Sequence, residues 1–450
     1  MVGPPSGQTA KPPAVGAPRP LERAMSPHPE IFGIPVDFIL FGLILIGVAL
    51  FHHRTLQVAA SGLAVISIYK LLFTGFAEGP GFGGLAAHAL HEWVGIVNLF
   101  GLLVGFALLA DHFERSEVPQ ALPRFLPEGW KGAFALLAMV FVLSAFLDNI
   151  AAALIGGAMA HTVFRKKVHI GYLAAIVACA NAGGAGSVVG DTTTTMMWIQ
   201  GVSPLAVLPA FVASAVALVV CGIPASLQQN RHSPILRDEV AGTHIDWGRV
   251  VVVGVILASA VSVNVFVNMN LGERAEKFPF IGVAVWVALL AMVPLRKPTW
   301  SLMPGAVRGS VFLLCLVMSA TMMPVERLPP ASWPTALGLG FLSSIFDNIP
   351  LTALALRQGG YDWGVLAYAV GYGGSMIWFG SSAGVAISNM YPEAKSVGAW
   401  VRNGWHVPVA YVAGFLVLLA LLGWHPTPKR GEGAVGAAPA PVAAAVAPAG

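Results

Sequence analysis

Long apolar runs alternate with short polar connectors along this chain. A membrane-crossing helix needs roughly 17 to 25 mostly apolar residues, and runs of that order recur about ten to twelve times. They are Ile34 to Phe51, Leu56 to Phe76, Trp93 to Ala110, Ala133 to Val163, Ile170 to Ile199, Leu205 to Ile223, Val250 to Val267, Ile281 to Val293, Val311 to Met323, Pro334 to Leu356, Val365 to Met390 and Val407 to Leu422. The pattern predicts an all-α polytopic membrane protein. Some of the runs are too long for one pass, which predicts broken helices or hairpins.

Composition agrees. Of 450 residues, 56% are hydrophobic and 10% charged, against about 25% charged in an ordinary soluble chain. The net charge of +4 is spread thinly over the connectors. Its densest basic patch, "FRKK" at Phe164 to Lys167, favours a cytoplasmic location and is no nucleic-acid footprint. Cys179, Cys221 and Cys315 all lie in apolar runs without metal-ligand spacing, and read as small packing residues. Residues 1–30 and 425–450 are rich in Pro, Gly and Ala and poor in large apolar side chains, which predicts disordered tails. Between them stand a first membrane half over 31–228, a connecting loop over 229–247 and a second half over 248–424. The N-terminus lacks a signal-peptide pattern, so Ile34 to Phe51 is expected to remain as a membrane anchor.

Two acids break the apolar pattern in matching contexts, at "FLDNIAAALIGG" from Phe146 and "IFDNIPLTALAL" from Ile345. Around them the halves repeat. "SAFLDNI" from Ser144 aligns with "SSIFDNI" from Ser343, and a serine four residues before the aspartate would share its face on a continuous helix. Downstream, "NAGGAGSVVGDTTTTMMWI" from Asn181 aligns with "GYGGSMIWFGSSAGVAISN" from Gly371, sharing Gly183, Gly184 with Gly373, Gly374, and Gly190 with Gly380. Glycine and small hydroxyl residues weaken a helix, and irregular backbone survives at membrane depth only inside protein or beside a wet cavity. Paired broken segments in two repeats point to the midplane site of a secondary transporter. The candidate broken-helix positions are Asn181, Gly183, Gly184, Gly373, Gly374 and Ser375. Thr192 to Thr195, Ser381 and Ser382 add oxygen ligands.

An intramembrane acid is expensive and by default functional, although Asp148 and Asp347 could also be plain helix ends or a packing pair. Asp191 could be an ordinary helix start. Asn149 and Asn348 read equally as interhelical glue or as ligands. "HALHEW", His88 to Trp93, matches no zinc-protease order and is expected to be an interfacial helix entering the membrane, with Trp93 at the headgroups. Lys70 is expected to snorkel. No nucleotide-binding signature is present, so transport energy is expected from an ion gradient, and no cofactor is expected beyond the transported ions.

Asp148, Asp191 and Asp347, with no arginine near the motifs except Arg357, lean the site towards a cation. Carboxylate, hydroxyl and carbonyl oxygens suit a hard ion such as sodium. Burial disfavours a charged carboxylate, so proton and sodium can compete for the same oxygens, and a carrier that moves only when neutralised exchanges one for the other. The alternatives are a sodium-coupled carrier of an organic anion or metalloid oxyanion, and a channel or non-transporting subunit.

"LDNIAAALIGG", "NAGGAGSVVGDTTTTMMWI" and "SSIFDNIPL" followed by "GSSAGVAI" resemble the NhaD-type sodium/proton antiporters, within the ion transporter superfamily of citrate, dicarboxylate and arsenite carriers. The resemblance spans about Phe141 to Asn389. It implies two inverted repeats with re-entrant hairpins and broken helices, a homodimer in the bacterial cytoplasmic (inner) membrane, and an elevator-like movement. By motif match it places sodium and proton handling on Asp148, Asn149, Asp191, Thr192, Thr193, Asp347, Asn348, Ser381 and Ser382, with sodium held at Asp148 and Asp347. Ser381 stands where Asp191 does, so the half-sites are not equivalent.

Overall fold

Only a segment that satisfies its own backbone hydrogen bonds can cross a bilayer, and the apolar runs accordingly fold as helices. The computed structural model describes residues 29–51, 54–121, 126–235, 244–271 and 277–427. The first half opens with a short antiparallel ribbon, β1 (Glu30–Ile31) and β2 (Ile34–Pro35), which the sequence pattern did not predict. There follow α1 (Val36–Leu50), α2 (Thr55–Tyr69), a π-helical turn over Lys70–Thr74, the long α3 (Gly81–Glu114) and the single turn α4 (Val118–Ala121). Next come α5 (Trp130–Ser144), α6 (Asn149–Val163), α7 (Ile170–Ala185), α8 (Thr192–Ile199), the short α9 (Pro204–Val207) and α10 (Ala210–His232). The second half runs through α11 (Trp247–Asn270), α12 (Phe280–Ala291), α13 (Met303–Thr321), α14 (Trp333–Ser343) and α15 (Asn348–Gln358). It closes with α16 (Trp363–Gly373), α17 (Ser382–Met390), α18 (Val397–Asn403) and α19 (His406–Leu422).

Among the described residues five helices are long and apolar enough to cross a membrane alone, or six if α18 and α19, bent by 58°, form one span. The overlong runs are broken, as predicted. Ala133 to Val163 becomes α5 and α6, Ile170 to Ile199 becomes α7 and α8, Pro334 to Leu356 becomes α14 and α15, and Val365 to Met390 becomes α16 and α17. The series α5, α6, α7, α8, α10 thus recurs as α14, α15, α16, α17, α19. The two series interlock: α17 packs on α6, α8 on α15, α7 on α16 and α10 along α19. At the centre, every residue of α16 is buried and all of α7 beyond Ile170. A helix apolar on all faces must lie inside, and these two position the site. Outside them α2 packs on α13 and α3 on α12.

Two expectations need correcting. Lys70 does not snorkel. It is buried, with Nζ 3.1 Å from a carboxylate oxygen of Asp37 in the first turn of α1. A buried ammonium beside a carboxylate is compensated where it stands. "HALHEW" lies inside α3, where buried His88 bonds Glu78 at 3.0 Å and Thr321 at 3.1 Å and Trp93 is exposed. The connecting loop begins later than expected, because α10 continues to His232. Residues 236–243 of that loop lie outside the described residues, as do 1–28 and 428–450 of the tails. The start of the C-terminal tail is fixed: Trp363 Nε1 donates to the Thr427 carbonyl at 2.7 Å and the His425 amide to Asp362 at 2.9 Å.

Candidate cation site where the broken helices meet

The two Asp-Asn pairs take one conformation. Asp148 caps α6 with φ −51° and ψ 140°, and Asp347 caps α15 with φ −52° and ψ 141°. The Ile150 amide donates to Asp148 Oδ2 at 3.2 Å and the Ile349 amide to Asp347 Oδ1 at 3.0 Å. A carboxylate there satisfies an orphan donor and faces the positive end of the helix dipole. Both acids are therefore helix ends, and each retains a second oxygen. Asp347 Oδ2 accepts from the Ser382 hydroxyl at 3.1 Å, and the Thr192 hydroxyl lies beside Asp148.

Ser144 and Ser343 do not share a helical face with these acids, because α5 and α14 end at the serines themselves. The hydroxyls instead donate to the Ala180 carbonyl at 2.5 Å and the Val370 carbonyl at 2.8 Å, pinning each hairpin to the helix behind it.

The breaks fall later than predicted: α7 runs through Asn181, Gly183 and Gly184 to Ala185 and α16 through Gly373, so of the predicted break positions only Gly374 and Ser375 lie outside a helix. Asp191 caps α8 through the Thr193 amide at 3.3 Å and accepts from the Thr193 hydroxyl at 2.7 Å. Ser381 caps α17 through the Gly384 amide at 3.2 Å. Thr194 and Thr195 donate to the carbonyls of Ser187 and Val188 and so hold the unwound segment. Gly190 and Gly183 lie so close to the backbone of α5 that a Cβ on either would sit about 2 Å from a carbonyl oxygen, those of Ser144 and Phe141.

Asn181 lies inside α7 and does not break it; its side chain links the halves. Its Oδ1 accepts from Asn149 Nδ2 at 3.0 Å, while its Nδ2 donates to Ser375 Oγ at 2.9 Å and Ser381 Oγ at 3.2 Å. Asn149 Nδ2 also reaches Asp191 Oδ1 at 3.3 Å. A buried polar chain thus runs from Asp191 in the first half to Ser381 in the second. Asp191 lies within electrostatic reach of both Asp148 and Asp347.

A cavity of about 390 Å³ opens onto Asp148, Asn149, Asp191, Thr192, Asn348 and Ser382. Thr193, Ser381 and Asn181 stand behind it, and Asp347 reaches it through Ser382. Two further acids line its outer part, Asp111 and Glu114 at the end of α3, together with Ser310 of α13. Among the described residues lining it there is no Lys, Arg or His. The buried Asn348 Nδ2 makes no hydrogen bond. Among the described residues no three acidic, His or Cys side chains form a cage, so a cation bound to a carboxylate here would complete its shell with hydroxyl, amide and carbonyl oxygens. Asp111 and Glu114 are absent from the sequence prediction, since they end an ordinary span and belong to neither repeat motif.

No family model matches the chain. Over 375 residues it is 27% identical to sodium/proton antiporter 1 of Arabidopsis thaliana, which is 73% of this chain and 60% of that protein. The Na(+)/H(+) antiporter NhaD of Vibrio cholerae is 26% identical over 304 residues, 55% of this chain and 61% of that protein. NhaD of Vibrio parahaemolyticus is 27% identical over 315 residues, 58% and 73% of the two chains. The chain is similar, over 55 to 73% of its length, to proteins named sodium/proton antiporters, NhaD among them. It spans about three fifths of the length of the first of these relatives. These relatives are named as antiporters, and the long apolar helices of this chain are those of an integral multi-pass membrane protein.

Proposed function

We propose that the chain exchanges sodium or lithium for protons by alternating access, with Asp148 and Asp347 as the competing acceptors and Asp191 between them. The observation that carries this reading is the cavity, where Asp148 and Asp191 of the first half face Asn348 and Ser382 of the second, Ser382 being bonded to Asp347, and no basic side chain lines the wall among the described residues. Each capping acid spends one oxygen on its own helix and keeps one for a cation. Thr192 and Ser382 stand beside those acids as hydroxyl ligands of the hard type sodium accepts. An uncompensated carboxylate resists movement through a low-dielectric barrier. Either ion relieves that resistance, and only one can do so at a time.

The organic-anion reading is less well supported. An anion is held at helix N-termini by free amide groups. Here three of the four N-termini, those of α6, α8 and α15, are already occupied by the protein's own carboxylates. The homodimer, the elevator-like movement and the bacterial cytoplasmic membrane belong to the same proposal, on the strength of the resemblance; its relatives include plant proteins.

Competition has a direct readout. Sodium chloride added to purified protein in weakly buffered detergent near neutral pH should release protons saturably, whereas choline chloride should not. The release should fall sharply in Asp148→Asn and in Asp347→Asn. Sodium binding without proton release would overturn the competitive mechanism.

A further inference from the structure

We infer that a second, smaller cavity along α3 is the opposite mouth of the ion path, and that Glu92 and Arg357 are the pair holding it shut. The inference rests on the antiport reading above. The smaller cavity measures about 200 Å³ and is bounded by Glu92, Leu99, Gln200, Thr321, Ala353 and Arg357. Leu99 also lines the larger cavity, so one apolar side chain of α3 belongs to both.

The two spaces share their walls. Helix α3 carries Glu92 at one and Asp111 at the other; α13 carries Thr321 at one and Ser310 at the other. At 1.5 Å per residue, Glu92 and Asp111 stand about 28 Å apart along α3, which is close to the roughly 30 Å thickness of a bilayer's hydrocarbon core. Two adjoining cavities whose far ends lie a membrane's depth apart, divided at an apolar side chain, are what alternating access requires of one path.

Glu92 Oε1 lies 3.6 Å from Arg357 Nη1, with both side chains largely withdrawn from solvent. Glu78 is within electrostatic reach of the same guanidinium, but its carboxylate is bonded to His88, and Glu92 is the acid in direct contact. Arg357 occupies the last turn of α15, whose N-terminus is capped by Asp347. One short helix therefore connects a proposed cation acceptor to the pair across the smaller mouth. A shift of α15 when Asp347 exchanges its ion would strain or release the contact with α3.

The test reads accessibility and exchange separately. In full-length protein with Cys315→Ala, Ala353→Cys reports on the smaller cavity and Ala306→Cys on the larger, each by its rate of modification with a charged, water-borne thiol reagent. Glu92→Gln should quicken labelling at Ala353→Cys about fivefold and slow it at Ala306→Cys, as expected when a contact biasing two states is lost. Arg357→Gln should do the same, and serves alone should Glu92→Gln not fold. The exchanged pair Glu92→Arg with Arg357→Glu should return both rates towards the parent. Labelling at Ala353→Cys unchanged by either neutralisation would overturn the inference. Labelling that shifts in protein without sodium/proton exchange would instead refute the antiport reading and leave the two-mouthed path standing.

Discussion

At Asp148 one carboxylate oxygen holds the Ile150 amide, so the charge and the cap can be removed separately. Asparagine caps a helix about as well as aspartate. Asp148→Asn should therefore melt within a degree or two of the parent in detergent while losing at least about a hundredfold in exchange rate, the scale expected when an essential interaction of a few kcal/mol is lost. Asp148→Ala should lose exchange and also about 1 kcal/mol of stability with its cap. Lys70 offers the contrasting case of a charge that is structural. Lys70→Met leaves Asp37 buried without its ammonium and should destabilise by about 3 to 5 kcal/mol, with much of that recovered in Asp37→Asn/Lys70→Met. Thermal unfolding of the single and double variants measures this. The residues differ in how readable they were. Asp148 and Asp347 announced themselves through repetition in an apolar setting. The partner of Lys70 lies in another helix, and no local spacing marks a contact of that kind. Asn181 was read for its backbone, although its side chain bridges the halves.

Among the elements, run length was the reliable signal. Stretches too long for one crossing do break, because small residues let the helix end where two hairpins meet. The place of each break was harder to see. A serine four residues before an aspartate suggested one continuous face, whereas the helix stops at Ser144 and the acid begins the next one. A cap and a mid-helix acid look alike in sequence unless the preceding helix is known to end. Close packing at the breaks leads to a prediction. Gly190→Ala places a methyl group about 2.0 Å from the Ser144 carbonyl oxygen, so backbone must move. A loss of about 1 to 3 kcal/mol is expected, against a neutral or slightly stabilising effect for Gly254→Ala, where a Cβ meets nothing within 4 Å. Melting temperatures of the two variants compare the sites directly.

For the whole molecule, duplication could be read from the aligned motifs, but the interlocking of the halves could not. That α8 packs on α15 and α17 on α6 follows from three-dimensional complementarity, and it is why polar side chains from both repeats line one cavity. Outside the membrane spans, Asp246 ties the second half to the first: its amide donates to the Ser116 carbonyl at 2.9 Å and its carboxylate meets Arg296 at 2.8 Å. The Arg296 hydrogen bond holds the Asp246 carboxyl below the usual carboxylate range. A carboxyl lowered in the folded state stabilises above its ordinary pKa, and the gain is lost as pH falls through the lowered value. Asp246→Asn should therefore melt earlier than the parent at pH 7, with the difference closing in acid.

The central claim is that intramembrane aspartates exchange sodium for protons. Proteoliposomes of the purified protein with a trapped pH-sensitive dye test it most directly, on separate addition of sodium, lithium, potassium and citrate. The account predicts proton movement with sodium or lithium alone, abolished by Asp148→Asn and by Asp347→Asn. Silence with every inorganic cation, together with sodium-dependent uptake of a labelled organic anion, would contradict it.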